Sequence, residues 1–340
     1  MRRPLFPHRA YFGAIVALGL FLFLFLACWD SCYSDVIPQS QPSVRRPRSM
    51  KFGGNRNRSH FKLLEDPKLA KYFAPDFVWH LSSFRDRDEF LRMTSTLRKI
   101  NPNTILGSYA SPLYALSAED DLYPPAHLPL SQCPKNWLLR NKDGTVRVVG
   151  EEKHLYCLDV RQKEVRQAVI TLAVERAKHN RLDALCFDNC YWGRAPRLDF
   201  PVSVDEWTQA YMKFYEEAGK AARQAGLKCV VNVATYPSQI PDAFLAIAAH
   251  VDGLMTELAF YPNIRTPERL IRELKGYEQL LKQGKIVLVG VSERKDEQFA
   301  LLAVWPLARK YGNIYVSVRG LVQDEPLYWL ADYEFDIGVE

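Results

Sequence analysis

A chain of 340 residues with 48% hydrophobic and 12% aromatic side chains is long enough for one large domain or two ordinary ones, and apolar enough for a large core. Its formal charge of +6 misleads. Residues 1–58 hold nine Lys and Arg against Asp30 and Asp35, leaving the body 36 of the 45 basic and 37 of the 39 acidic residues, about −1. A near-neutral body with a basic arm excludes nucleic acid as the expected partner and leaves the arm to face an anionic membrane surface.

Tyr11 to Trp29 carries no charge and follows Arg2, Arg3 and Arg9. Residues 1–29 therefore predict a signal peptide or signal-anchor helix, long for a cleaved leader and just long enough to span a bilayer. The positive flank holds the N-terminus in the cytoplasm and sends the rest outside, so the protein is expected to be exported, either membrane-anchored or secreted. Phe25, Leu26, Ala27 and Cys28 resemble a bacterial lipobox whose Cys28 would be lipidated, but Phe25 and Leu26 depart from its usual residues, which favours a plain anchor. Residues 30–58, rich in Pro, Arg and Gly and without an apolar period, read as a flexible basic linker.

From residue 59 to 340 one domain is expected. Its strands are predicted over 76–82, 104–110, 155–160, 183–190, 227–233, 251–257, 285–291 and 314–318. Helices are predicted over 87–100, 162–179, 204–225, 240–249, 266–282 and 297–311. A polar, Pro-rich segment from Ser111 to Glu152 is too long for a plain connection and reads as functional. Eight strands alternating with helices in about 250 residues predict an α/β fold, a (β/α)8 TIM barrel. An open doubly wound sheet would call for a phosphate-binding turn, and neither GxGxxG nor GxxxxGK[ST] occurs. Five cysteines fall in the body. Cys186 and Cys229 lie in apolar runs and read as core, while Cys190 has Cys133 and Cys157 as possible disulfide partners.

Such barrels work from the C-terminal ends of their strands. Those ends carry His80 and Ser82, Ser108 and Tyr109, Asp159, Asp188 and Asn189, Asn232, Glu257, Ser292 and Glu293, and Arg319. No HxH or HExxH pair supports a metal hydrolase, and no cofactor is called for. No Lys ends a strand and no GxSxG elbow is present, which leaves carboxylates, amides, aromatics and an Arg. Paired carboxylates suit glycoside hydrolysis, one ionised to attack or stabilise an oxocarbenium-like carbon and one protonated to donate to the leaving oxygen. Asp188, ending a dry strand beside Asn189, is the expected nucleophile. Glu257, next to Leu258, Ala259 and Phe260, is the expected acid/base. Alternatively Glu257 forms an ion pair with Arg319 or Arg265, and Glu293 is a rival acid. Tyr109, Asp159, Asn189 and Asn232 are expected to position sugar hydroxyls, with Glu293 and Arg319 at the same rim. Trp137 and Trp192 offer faces for sugar stacking.

Trp137, Leu139, Asn141 and Gly144, then Leu158 to Arg161 with Val165 and Arg166, then Asp183 to Asn189, then Asp252, Gly253 and Glu257, together resemble the glycoside-hydrolase-like TIM-barrel families. These are similar to the endo-α-1,4-polygalactosaminidases and more distantly to retaining α-galactosidases. Phe187 to Cys190 looks like the α-galactosidase strand-four motif whose Asp is the nucleophile. Glu257 falls on strand six, where that clan places its acid/base, there usually Asp. The resemblance, which spans Phe77 to Leu321, implies a glycoside hydrolase, and with the expected export the reading is cleavage of an extracellular or cell-envelope polysaccharide. The alternative is a non-catalytic carbohydrate-binding barrel.

Overall fold

A computed structural model of the protein describes residues 48–51, 75–80, 84, 86–117, 127–149, 155–190, 202–233, 241–257, 266–290 and 294–317. All belong to one compact unit, Val44–Glu340. The predicted signal or anchor helix, Cys28 and most of the predicted linker lie outside the described residues. Among the described residues no helix is long and apolar enough to cross a membrane.

Eight strands close a parallel barrel. In chain order they are β1 (Arg48–Lys51), β2 (Phe77–Val78), β3 (Ile105–Ala110), β8 (Ala184–Phe187), β9 (Lys228–Asn232), β10 (Gly253–Thr256), β11 (Ile286–Val289) and β12 (Ile314–Ser317), with β12 returning to pair with β1. Between β3 and β8 the chain builds a small separate sheet in the order β5 (Leu128–Pro129), β4 (Tyr114–Leu116), β7 (Leu155–Cys157), β6 (Val148–Val149). The helices are α1 (Arg87–Ile100), α2 (Lys163–His179), α3 (Val204–Gln224), α4 (Pro241–Ala248), α5 (Pro267–Lys282) and α6 (Arg294–Tyr311).

Two expectations are corrected. Residues 155–160 do not form the third barrel strand, because β7 pairs antiparallel with β4 and β6 in the small sheet. The missing barrel strand is β1, inside the segment read as a linker, so the barrel begins before residue 59. The run Arg48, Ser49, Met50, Lys51 carries no apolar stretch and sits among Pro and Arg, so it gives no strand signal. Only Met50 enters the core, while Arg48 lies over the Tyr315 ring at 5.6 Å and donates to its hydroxyl at 2.9 Å. One strand missed and one surplus leave Asp188 on the fourth barrel strand and Glu257 on the sixth, as expected.

The helices form where caps and apolar spacing agree. In α1, Asp86 accepts from the Glu89 N–H, and Phe90, Met93, Thr94 and Leu97 fall on one buried face. In α3, Ser203 and Glu206 make a reciprocal capping box, and Trp207, Tyr211, Phe214 and Tyr215 turn inward. At the other end of the barrel, three aspartates each stand one residue before a strand and accept a backbone N–H from the neighbouring strand. Asp76 takes that of Ser49 at 2.9 Å, Asp183 that of Leu106 at 2.9 Å, and Asp252 that of Cys229 at 2.8 Å. Asp183 also receives Arg98 at 2.9 Å. Asp183→Ala strips a charged acceptor from the Leu106 N–H, so it is expected to lower stability by about 2 kcal/mol, read as a lower urea midpoint at unchanged m.

The barrel interior is filled by Met50, Phe77, Trp79, Ala184, Cys186, Val230, Met255, Ile286, Leu288 and Tyr315, with Ile105 and Tyr109 against them. Side chains alternate along a strand, so Cys186 predicts that Asp188 points inward, Val230 that Asn232 does, and Met255 that Glu257 does. All three stand one step beyond the core layer, at the C-terminal mouth. Gly107 faces the same interior. A Cβ there would run into Cys186 Sγ and come within 2.7 Å of the Trp79 carbonyl oxygen and 2.8 Å of that of Val78.

Candidate active site

Asn232 joins the two carboxyls. Its Nδ2 donates to Asp188 Oδ1 at 2.8 Å and to Glu257 Oε2 at 3.0 Å. Both bonds leave one nitrogen, so the two oxygens stand no farther apart than 5.8 Å, the sum of those lengths. Asp188 gathers two further donors, the Tyr109 hydroxyl on Oδ2 at 2.9 Å and the Asn189 N–H on Oδ1 at 2.8 Å.

The two acids stand in different surroundings. Burial pushes the Asp188 carboxyl above the ordinary carboxylate range, but the Asn189 N–H, Tyr109 and Asn232 all favour its ionised form. Burial also pushes the Glu257 carboxyl up, the negative charge of Asp188 pushes it further, and Asn232 alone among the described donors opposes. The pair thus divides into a carboxyl that takes three donors and a neighbour that takes one and is inclined to keep its proton. Burial and the Asp188 charge push the Tyr109 phenol well above its usual value, so it stays a donor.

The turn after β8 is strained and clamped. Asn189 has φ of 56°, the left-handed region that an L-residue enters at a penalty. Tyr211 and Tyr215 of α3 donate to the carbonyl oxygens of Asn189 and Cys190 at 3.1 and 3.2 Å, and the Cys190 N–H donates to the Asn232 carbonyl at 3.0 Å. These bonds keep the Asn189 N–H aimed at the carboxylate. Tyr109 is held in turn by rings: His80 stacks on it at 4.2 Å and 22°, and His127 meets it edge-on at 6.0 Å.

Of the residues expected at the site, Tyr109, Asp188, Asn189, Asn232 and Glu257 come together. Asn232 is 0% exposed and donates to both acids. Asn189 reaches Asp188 through its backbone N–H. Asp159 is buried under a two-bond pair with Arg161, both bonds 2.8 Å, and its own N–H donates to the Trp137 carbonyl. Asp159 and Trp137 thus brace the small sheet against the start of α2, and among the described residues neither bonds to the acid pair. Trp192, Glu293, Arg319 and Arg265 lie outside the described residues. His127 was not expected, because it lies in a polar, Pro-rich segment whose sequence carries no strand period. Cys133, Cys157, Cys186, Cys190 and Cys229 are all free thiols, so Cys190 pairs with neither of its expected partners. Among the described residues no group of three or more His, Cys, Asp or Glu is placed to hold a metal ion.

No family profile and no curated protein matches the chain. Solved structures do match. Ega3 from Aspergillus fumigatus, in complex with galactosamine, is 11% identical with a TM-score of 0.48 over 84% of this chain and 96% of its own. An α-galactosidase from Thermus thermophilus in complex with stachyose is 17% identical with a TM-score of 0.49 over 89% of this chain, which spans 66% of that one. The glycoside hydrolase domain of PgaB from Bordetella bronchiseptica is 10% identical with a TM-score of 0.46 over 80% of this chain and 93% of its own. Two of the three are glycoside hydrolases by name.

Proposed function

We propose that the protein is a retaining glycoside hydrolase acting on an extracellular or cell-envelope polysaccharide. The observation that carries the reading is the single amide nitrogen shared by Asp188 and Glu257 at the inward mouth of strands four to six. An oxygen separation of at most 5.8 Å admits the roughly 5–5.5 Å of retaining enzymes and stays short of the ~6.5–9.5 Å that leaves room for a water in inverting ones.

Asp188 attacks the anomeric carbon as its bond to the leaving oxygen breaks, and Glu257 gives that oxygen its proton. Glu257, now ionised, takes a proton from water. The water oxygen bonds the anomeric carbon and Asp188 departs as a carboxylate. Tyr109 and the Asn189 N–H hold Asp188 ionised and aimed. The uncharged stretch Tyr11 to Trp29 supports export and, when retained, a membrane tether.

The test is to incubate the purified full chain with a panel of polysaccharides and follow the first anomeric proton signals by NMR. Products that keep the substrate's configuration are expected. Inverted products would overturn the retaining mechanism. Binding without turnover across the panel would overturn the enzyme in favour of a carbohydrate-binding barrel.

A further inference from the structure

Asn232 does more than fill the space between two acids. Its side chain is fully buried, so it is removed from any sugar, and its nitrogen spends both hydrogens on groups that trade charge during the reaction. In the first half Asp188 carries the charge and Glu257 the proton. In the second half Asp188 is esterified and neutral, and Glu257 is the charged base. A hydrogen bond to a charged acceptor is about twice as strong as one to a neutral acceptor. One nitrogen that reaches both acceptors therefore has its stronger bond on whichever carboxyl is ionised, without moving.

The backbone is fixed for this. Asn232 stands in register with Met255 on β10, and its carbonyl oxygen holds the Cys190 N–H of the strained turn. One residue thus ties together the nucleophile's strand, the acid's strand and the turn between β8 and α3.

We infer that Asn232 is the positioning residue that couples the two carboxyls, supplying its donor to the ionised partner in each half of the reaction. The titratable groups facing the pair among the described residues are Tyr109 on β3 and the Cys190 thiol beyond β8, with His80 and His127 behind Tyr109. Both the phenol and the thiol are held neutral by burial, so neither replaces the amide as the link between the acids. The Asn232 donor lowers both carboxyls, and losing it raises both. The nucleophile must be ionised and the acid protonated, so the acid limb and the alkaline limb of the pH profile both move toward higher pH.

The variants are Asn232→Ser, which keeps one donor hydrogen, and Asn232→Leu, which keeps none. In the full chain kcat is expected to fall about a hundredfold with KM little changed, and both limbs of kcat/KM to shift upward in pH. A merely structural role would lower the profile without moving it. The inference rests on the hydrolase reading, so the closing measurement needs no turnover. A carbon-13 titration of the carboxyl signals, assigned with Asp188→Asn and Glu257→Gln, is expected to show both acids titrating higher in the Asn232 variants. Unmoved titrations in a folded variant overturn the coupling. Raised titrations in a chain that turns over nothing keep the coupling and remove the hydrolase.

Discussion

Asp188→Asn is expected to remove about 10^4-fold of kcat while polysaccharide binding survives, since the amide keeps the shape of the side chain and loses its nucleophilicity. Glu257→Gln is expected to remove about 10^2–10^4-fold for substrates with poor leaving groups, and much less for aryl glycosides whose leaving group departs without a proton. The two variants separate the roles. If both lose activity equally on activated and unactivated substrates, Glu257 is not the acid.

Stability should move the other way. The Glu257 carboxyl is raised above its ordinary value of 4.5, so the folded chain holds this proton more tightly than the unfolded chain does. The contribution to stability is fully present below the unfolded value and is lost as pH rises through the folded one. At neutral pH the ionised group is therefore a burden, and Glu257→Gln is expected to melt higher than the parent chain. The gain disappears in acid, where the parent carboxyl is protonated too. Thermal melts of both proteins across the acid-to-neutral range check the sign.

Gly107→Ala is expected to destabilise the barrel by about 3 kcal/mol, roughly a 6–12 °C drop in melting temperature. The added methyl meets Cys186 Sγ and two backbone carbonyl oxygens of the β2 segment, at 2.7 and 2.8 Å. A side chain can turn aside, but the Val78 carbonyl belongs to a strand paired with β3 in the closed barrel. Trimming Cys186 to Ala in the same chain therefore rescues only part of the loss. A Gly107→Ala protein that melts with the parent would show that β2 and β3 part easily.

Much of this architecture is legible in the sequence. Apolar runs ending in Asp, Asn or Glu marked β8, β9 and β10, and inward alternation followed from the core residues two steps earlier. The failures have physical causes. β1 enters the barrel with a single core residue, Met50, and two basic ones, so its local pattern is that of a linker and only pairing with β2 and β12 makes it a strand. Leu155 to Val160 has the pattern of a barrel strand because the small sheet also covers an apolar face. Asp159 stood at the end of that run and was drawn into the expected site with it. A strand-end amide such as Asn232 looks the same in sequence whether it meets a ligand or two acids. Burial and partner geometry, which depend on three strands at once, decide that.

The seam between β1 and β12 has a consequence for how the chain is made. The bond that ties Arg48 to Tyr315 joins residues 267 positions apart. At translation rates of about 5–20 residues per second, the outer edge of β1 waits roughly 15–50 s for the strand that seals it. During that interval the growing sheet carries two unpaired edges, the feature that templates aggregation. Long-range closure of this kind is also slow once the chain is complete. Arg48 and Lys51 put positive charge on the waiting strand, and charge at an open edge discourages strange partners. The same polarity that disguised β1 as a linker is thus suited to a strand that must stay soluble until the last one arrives.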